Sequence, residues 1–238
     1  MPALFITGTD TGVGKTVVTA CLTRALRSLG ADCVAMKPFA SGCELRDGTL
    51  HSEDAAFLQE VGGFELPPDL ICPIRLELPL APLVAAKLSR IETTNWPTIA
   101  RSAFDELTQR HEWVLVEGVG GWCVPLYHFT DEAFATCGDL SLDWRLFTIV
   151  VARRTLGTIN HTILTCRAVR QEGFLKGVVF CDAAPVADDD LAAQSSRAVV
   201  CELGYTRELG FVPYSTDWNE AARALEPLAR ELLAGNGG

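Results

Sequence analysis

The sequence predicts an α/β fold of three layers, a mostly parallel central sheet with helices on both faces. Three observations carry this. Short apolar runs alternate along the chain with longer segments of helical period. Such alternation implies right-handed βαβ units. No linker rich in Pro, Gly or Ser divides the 238 residues, so residues 1–238 read as one domain of the larger α/β kind. A glycine-rich loop also stands between the first strand and the first helix.

Ala3–Thr7 is the first strand. Val17–Leu29 is the first helix, with Val18, Cys21, Leu22, Ala25 and Leu29 on one face and Gly30 as its stop. Asp32–Met36 is the next strand. Ser52–Glu60 is a short helix with Ser52 as N-cap. Trp96–Arg110 is helical and Trp113–Val116 is a buried strand. Phe147–Ala152 is another, rich in β-branched residues. Asn160–Glu172 is a helix, Gly177–Phe180 a strand, and Leu191–Leu203 a helix led by the carboxylates of Asp188–Asp190, which suit a helix start. Leu209–Val212 is the last strand and Asn219–Leu233 the closing helix. The GNGG end reads as frayed.

Composition narrows the function classes. Lys+Arg number 20 against 30 Asp+Glu, a net charge of -10, which argues against nonspecific nucleic-acid binding. The 48% apolar content is too high for a disordered chain. No apolar stretch approaches the roughly 18 residues that span a membrane. The start, MPALFITGTD, has no basic region or long apolar core, so it is not a signal peptide. Nine cysteines lack CxxC or zinc-finger spacing and sit in apolar stretches. That pattern places the chain in a reducing, cytoplasmic compartment without a disulfide framework.

The strongest chemical signal is Gly8-Thr-Asp-Thr-Gly-Val-Gly-Lys-Thr16, between strand and helix. Backbone N–H groups of such a loop, at Gly12, Val13, Gly14 and on to Val17, point at an anion, and the helix N-terminus adds positive potential. Lys15 can reach the β and γ phosphates, and the Thr16 hydroxyl can hold Mg²⁺. The loop departs from strict GxxxxGK[ST], because Thr9 stands where the first Gly belongs. The architecture is P-loop NTPase-like.

Mg²⁺ takes one or two carboxylates and keeps waters. Glu117 follows four apolar residues at the carboxyl end of a buried strand, where an acid is costly unless used. Asp54 can supply a second carboxylate, although by position alone it is equally a helix-start acid. Lys37 follows the second strand and can add a cation beside Lys15; by position alone it is also an ordinary surface lysine. Ser41 can donate a hydroxyl to a substrate.

Five segments are more specific together than the loop alone: Gly8–Thr16, KPFASG (Lys37–Gly42), SEDA (Ser52–Ala55), VLVEGVGGW (Val114–Trp122) and LGTINHT (Leu156–Thr162). Over most of the chain they resemble the ATP-dependent dethiobiotin synthetases, a P-loop family of biotin biosynthesis. The resemblance implies a cyclo-ligase. Its substrates are 7,8-diaminononanoate, CO₂ and ATP, and Mg²⁺ is the cofactor. One amine takes up CO₂ as a carbamate, the carbamate attacks the γ-phosphate, and the second amine closes the cyclic urea and expels phosphate.

The resemblance also assigns positions. Lys15 and Lys37 neutralise the reacting anions. Thr11 and Ser41 hold the carbamate or diamine. Thr16, Asp54 and Glu117 hold Mg²⁺. Gly118, Val119 and Gly120 lie on the nucleotide side and Gly121 on the substrate side. It implies a homodimer in which Leu156, Gly157 and Asn160 of one subunit receive the far carboxylate of substrate bound in the other. His161 stays open between a structural and a functional role.

Two departures stand out. Cys181, followed by Asp182, occupies a place where family members commonly carry Asn to read the adenine edge, and Cys cannot make paired amide contacts. Base reading then falls to backbone groups, with Pro213, Tyr214 and Ser215 nearby. Ala81-Pro82-Leu83 also stands where the family often has a Ser-Pro-His-like stretch. Three alternatives stand beside this reading. A partition-type ATPase has a second lysine early in its loop, where this chain has Asp10, which speaks against it. A related amide-forming ligase domain normally continues into a glutaminase domain, whereas this sequence ends at residue 238. A nucleotide-binding paralog with another substrate or a regulatory role is the third.

Overall fold

The computed structural model describes residues 2–130 and 133–235. Among these, six parallel strands form one sheet: β1 (Ala3–Gly8), β2 (Cys33–Met36), β3 (Trp113–Gly121), β4 (Phe147–Ala152), β5 (Phe174–Cys181) and β6 (Glu208–Val212). Their order is β6-β5-β4-β1-β3-β2, so the strand leading into the phosphate loop is interior.

Strand side chains alternate between faces, and two separate cores follow. Leu4, Ile6, Ala35, Leu115, Val151 and Val179 face α1 (Lys15–Ser28) and α2 (Glu53–Gly62). Phe5, Met36, Val116, Val150 and Phe180 face α3 (Trp96–Arg110), α4 (Thr158–Glu172) and α5 (Leu191–Gly204). Cys21, Cys33, Cys166 and Cys181 are buried among these apolar groups. No helix among the described residues is long and apolar enough to cross a membrane.

Local signals set the helix ends. Ser52 caps α2 by accepting from the Ala55 N–H at 3.2 Å. Asp190 caps α5 by accepting from the Ala193 N–H at 3.0 Å. Gly30, at φ +92°, turns the chain out of α1.

Several boundaries differ from the sequence reading. The first helix starts at Lys15, not Val17, because Gly14 serves as its N-cap at φ +95°. The loop's Lys and Thr are thus already helical. β3 runs on through Gly121 and does not end at Glu117. Pairing there slips from Ile6 opposite Glu117 to Gly8 opposite Gly121, a bulge on β3. Gly118 fits because a Cβ would stand 2.8 Å from the Phe5 ring. α4 starts at Thr158 and β5 at Phe174. The closing helix is two pieces, α6 (Trp218–Arg223) and α7 (Glu226–Ala234), because Pro227 in the first turn of α7 has no N–H to continue the ladder. The end of the GNGG tail lies outside the described residues.

Elements the sequence reading omitted are short. Phe39–Ser41 pairs in parallel with Ile74–Leu76, and Glu44–Arg46 pairs with Thr49–His51 across Asp47-Gly48. Pro125–His128 pairs with Phe134–Thr136. Helices Pro68–Ile71, Pro82–Ser89 and Cys137–Asp143 fill the connections.

Candidate active site

The carboxyl ends of β1, β2 and β3 open into a cavity of about 730 Å³. The place is where open α/β sheets bind ligands. Of the residues singled out by sequence, Thr11, Gly12, Gly14, Lys15, Thr16, Val17, Lys37, Ser41, Asp54, Glu117, Val119 and Gly120 line it. Lys15 and Thr16 reach it from the first turn of α1. Lys37 reaches it from the end of β2, Ser41 from the Phe39–Ser41 strand, Asp54 from the first turn of α2, and Glu117 from β3.

Four side chains form one network. Thr16 Oγ1 donates to Glu117 Oε1 at 2.9 Å and lies 3.2 Å from Asp54 Oδ1. Lys37 Nζ donates to Glu117 Oε1 at 2.8 Å and to Asp54 Oδ2. Glu117 is fully buried, and its Oε2 has no hydrogen-bond partner among the described residues. Lys15 Nζ, also buried, donates to the Asp10 carbonyl at 2.9 Å.

The charges set one another. Burial works against the Lys37 ammonium, but Glu117 and Asp54 outweigh it and hold its pKa above the ordinary lysine value. Burial works to raise the Asp54 carboxyl, but Lys37 and Thr16 hold it below the usual range. Burial lowers Lys15, with Glu117 opposing and the Lys37 charge adding to the drop. A hydroxyl and two carboxylates converge here, all hard oxygens, and one carboxylate oxygen is buried without a partner. This donor set fits Mg²⁺.

A family model described as an AAA domain matches residues 2–222. The ATP-dependent dethiobiotin synthetase BioD of Thermodesulfovibrio yellowstonii is 41% identical over 219 residues, 91% of this chain and 90% of the relative. The chain belongs to the dethiobiotin synthetase family. The same-named proteins of Anaeromyxobacter dehalogenans strain 2CP-C and Nitrosopumilus maritimus are 40% and 32% identical over 94% and 93% of this chain, 96% and 93% of theirs. Among solved structures, the MinD cell division protein of Aquifex aeolicus matches with a TM-score of 0.56 over 98% of each chain. At 12% identity that likeness shows the P-loop NTPase fold alone.

Other positions that the family resemblance singled out lie outside the cavity wall. Val13 is buried beneath the loop, so only its backbone is available to an anion. Gly118 packs on Phe5, and Gly121 stands beside the Gly8 carbonyl. Leu156, Gly157, Asn160 and His161 are exposed at the start of α4. Pro213 and Tyr214 are exposed beyond β6, and Ser215 Oγ is engaged with Glu220 at 3.1 Å.

At positions 181 and 182 both side chains are engaged within the protein. Cys181 is fully buried, and a Cβ on Gly14 would stand 2.5 Å from its Sγ, so the thiol packs under the phosphate loop and presents nothing to a base. Burial pushes that thiol up to about 12, so it stays neutral. The Asp182 carboxylate is likewise taken, because Arg154 Nε donates to its Oδ1 at 3.0 Å and Nη2 to its Oδ2.

The sequence reading missed Pro79, Leu80, Val124 and Ala183, which complete the cavity wall together with Ala81. These are short apolar loop residues with no spacing signal. Leu83 is buried and lines a separate cavity.

Proposed function

We propose that the protein makes dethiobiotin from 7,8-diaminononanoate, CO₂ and ATP within biotin biosynthesis. The observation that carries this reading is the convergence of Lys15, Lys37, Thr16, Asp54 and Glu117 in one cavity of a chain 41% identical to a dethiobiotin synthetase.

The chemistry joins anions, so charge neutralisation and positioning dominate. One amine of the diamine adds to CO₂, loses a proton and becomes a carbamate. A carbamate oxygen bonds to the γ-phosphorus, the bond to ADP breaks, and a carbamic-phosphoric anhydride forms. The second amine then bonds to the carbamate carbon, phosphate leaves and the ring closes.

Lys15, at the loop's end, is placed for the β and γ phosphates. Lys37 serves the carbamate, fixed from behind by Glu117 and Asp54. Thr11 and Ser41 supply hydrogen bonds to carbamate or amine. Pro79, Leu80, Ala81 and Val124 give the diamine's alkyl chain an apolar wall. Thr16, Asp54 and Glu117 are the residues that would hold Mg²⁺, which when bound shields phosphate charge.

The reading includes a homodimer that works in the cytoplasm. Leu156 is 92% exposed and Leu164 is 56% exposed, flanking Asn160 at the start of α4. Such an apolar rim around a helix N-terminus suits a face that a second subunit covers while the helix start receives the far carboxylate.

The deciding experiment incubates purified protein with 7,8-diaminononanoate, bicarbonate, Mg²⁺ and ATP, and follows products by mass spectrometry. Dethiobiotin is the expected product. Its absence from a folded protein that binds nucleotide would move the assignment to a paralog with another substrate.

A further inference from the structure

Arg154 has no part in the chemistry above, yet four segments meet on it. Its guanidinium forks onto the buried Asp182 carboxylate, and its Cζ lies 4.3 Å from the centre of the Phe211 ring. Nη1 donates to the Ala193 carbonyl in the first turn of α5 at 3.4 Å. Its own carbonyl accepts from Ser196 Oγ at 3.2 Å. One residue earlier, the Arg153 carbonyl accepts from Thr158 Oγ1 at 2.6 Å, and Arg153 Nη2 reaches Asp10 Oδ2 of the phosphate loop at 3.4 Å.

The four segments have distinct duties. Asp182 starts the loop that continues into Ala183 of the cavity wall. Phe211 stands two residues before Pro213 on the base side. α5 follows that loop. The turn Thr155–Gly157 leads into the start of α4, to which the proposed function gives the far carboxylate of the partner's substrate. A planar guanidinium can fork onto a carboxylate and stack on a ring at once, which an ammonium cannot. Asp182 cannot leave Arg154 without becoming a buried, unpaired charge. The Arg154 carbonyl, held by Ser196 Oγ at 3.2 Å, ties the main chain that enters the Thr155–Gly157 turn to α5.

We infer that Arg154 is a positioning residue coupling the nucleotide's base side in one subunit to the far-carboxylate end of the diamine bound by the partner. This rests on the site assignment proposed above. Nucleotide docked against Ala183 and Pro213 stiffens the same knot that a carboxylate at Leu156–Asn160 stiffens. Each ligand therefore tightens the other, and by reciprocity by the same factor.

The test is calorimetric titration of the intact protein with 7,8-diaminononanoate, with and without a non-hydrolysable ATP analogue and Mg²⁺. In the parent protein the analogue is expected to tighten the diamine about fivefold or more. In Arg154→Met and Arg154→Lys that factor falls to near one. KM for both substrates rises while kcat changes less than about threefold. The double variant Arg154→Met/Asp182→Asn removes the orphan carboxylate, so it regains thermal stability without regaining coupling. It also carries the measurement should Arg154→Met fail to fold. A coupling factor that stays at the parent value in the folded variants, or is absent from the parent, overturns the role of Arg154. Failure of the parent to bind the diamine at all instead sinks the site assignment, so the two failures are told apart.

Discussion

Lys37 Nζ lies 2.8 Å from Glu117 Oε1, an ion pair in which both side chains are buried. Such a pair is costly to break from one side, because the remaining charge keeps its desolvation penalty; losses of about 3–5 kcal/mol are usual. Lys37→Met should therefore lower thermal stability, and Lys37→Met/Glu117→Gln should recover much of it. Activity should behave differently. Both variants should lose roughly 10²–10³ in kcat, the scale of one removed charge-stabilising group, while nucleotide affinity shifts only a few-fold. A single variant with the parent's turnover would remove Lys37 from the chemistry.

Asp54 gives this network an acid limit. Its carboxyl is held low in the folded protein, with burial opposing and Lys37 prevailing. A lowered folded value means that the carboxylate's contribution is complete above the unfolded pKa of about 3.9 and is lost as pH falls through the folded value. Stability-versus-pH curves for the parent and Asp54→Asn should differ above about pH 4 and converge at lower pH. Curves that stay parallel down to pH 2 would assign the acid limb to other carboxylates.

Glu117→Gln keeps the shape of the side chain and removes its charge. With Asp54 and Thr16 in place, the variant should need several-fold more Mg²⁺ for half-maximal activity, and the Mg²⁺-dependent part of nucleotide binding should weaken alike. An unchanged Mg²⁺ titration would take Glu117 out of the metal site.

Much of this was legible in the sequence, for physical reasons. Apolar runs flanking helical periods define the sheet, because a strand covered on both faces must be apolar on both. The phosphate loop is readable because its glycines and its Lys-Thr pair sit at a strand-to-helix junction. The Gly118–Gly121 run was harder to read. Glycines usually mark turns, yet here they continue β3 because Phe5 and the Gly8 carbonyl crowd the strand. The side-chain direction of Cys181 was not legible either. It is fixed by strand alternation, which turns Cys181 with Val179 toward α1. Arg154 carries no local signal, since Asp182, Ala193 and Phe211 are brought to it only by the fold.

The packing of Cys181 beneath Gly14 gives a reciprocal test. Gly14 sits at φ +95°, and an added Cβ would lie 2.5 Å from the sulfur. Gly14→Ala should raise KM for ATP at least tenfold, through both backbone strain and that clash. Combining it with Cys181→Gly removes both the sulfur and the Cys181 Cβ that would stand 2.9 Å away, but not the strain, so part of the loss should return. No recovery in the double variant would mean that the backbone conformation alone sets the loop.

The buried thiol also bears on base choice. A side chain that reads adenine must present paired donor and acceptor atoms to the base, and Cys181 presents neither. One good hydrogen-bonded pair is worth about a factor of ten. The preference for ATP over GTP or CTP should therefore stay below about tenfold in kcat/KM. Cys181→Ser, similar in size and equally hidden, should leave the ranking unchanged. Both outcomes follow from competition assays with the three nucleotides under identical Mg²⁺. A preference above a hundredfold would require that backbone groups around Ala183 and Pro213 read the base edge. In that case the selectivity should survive every substitution at position 181 that leaves the loop intact, and it should weaken when the Arg154 fork that fixes Asp182 is removed.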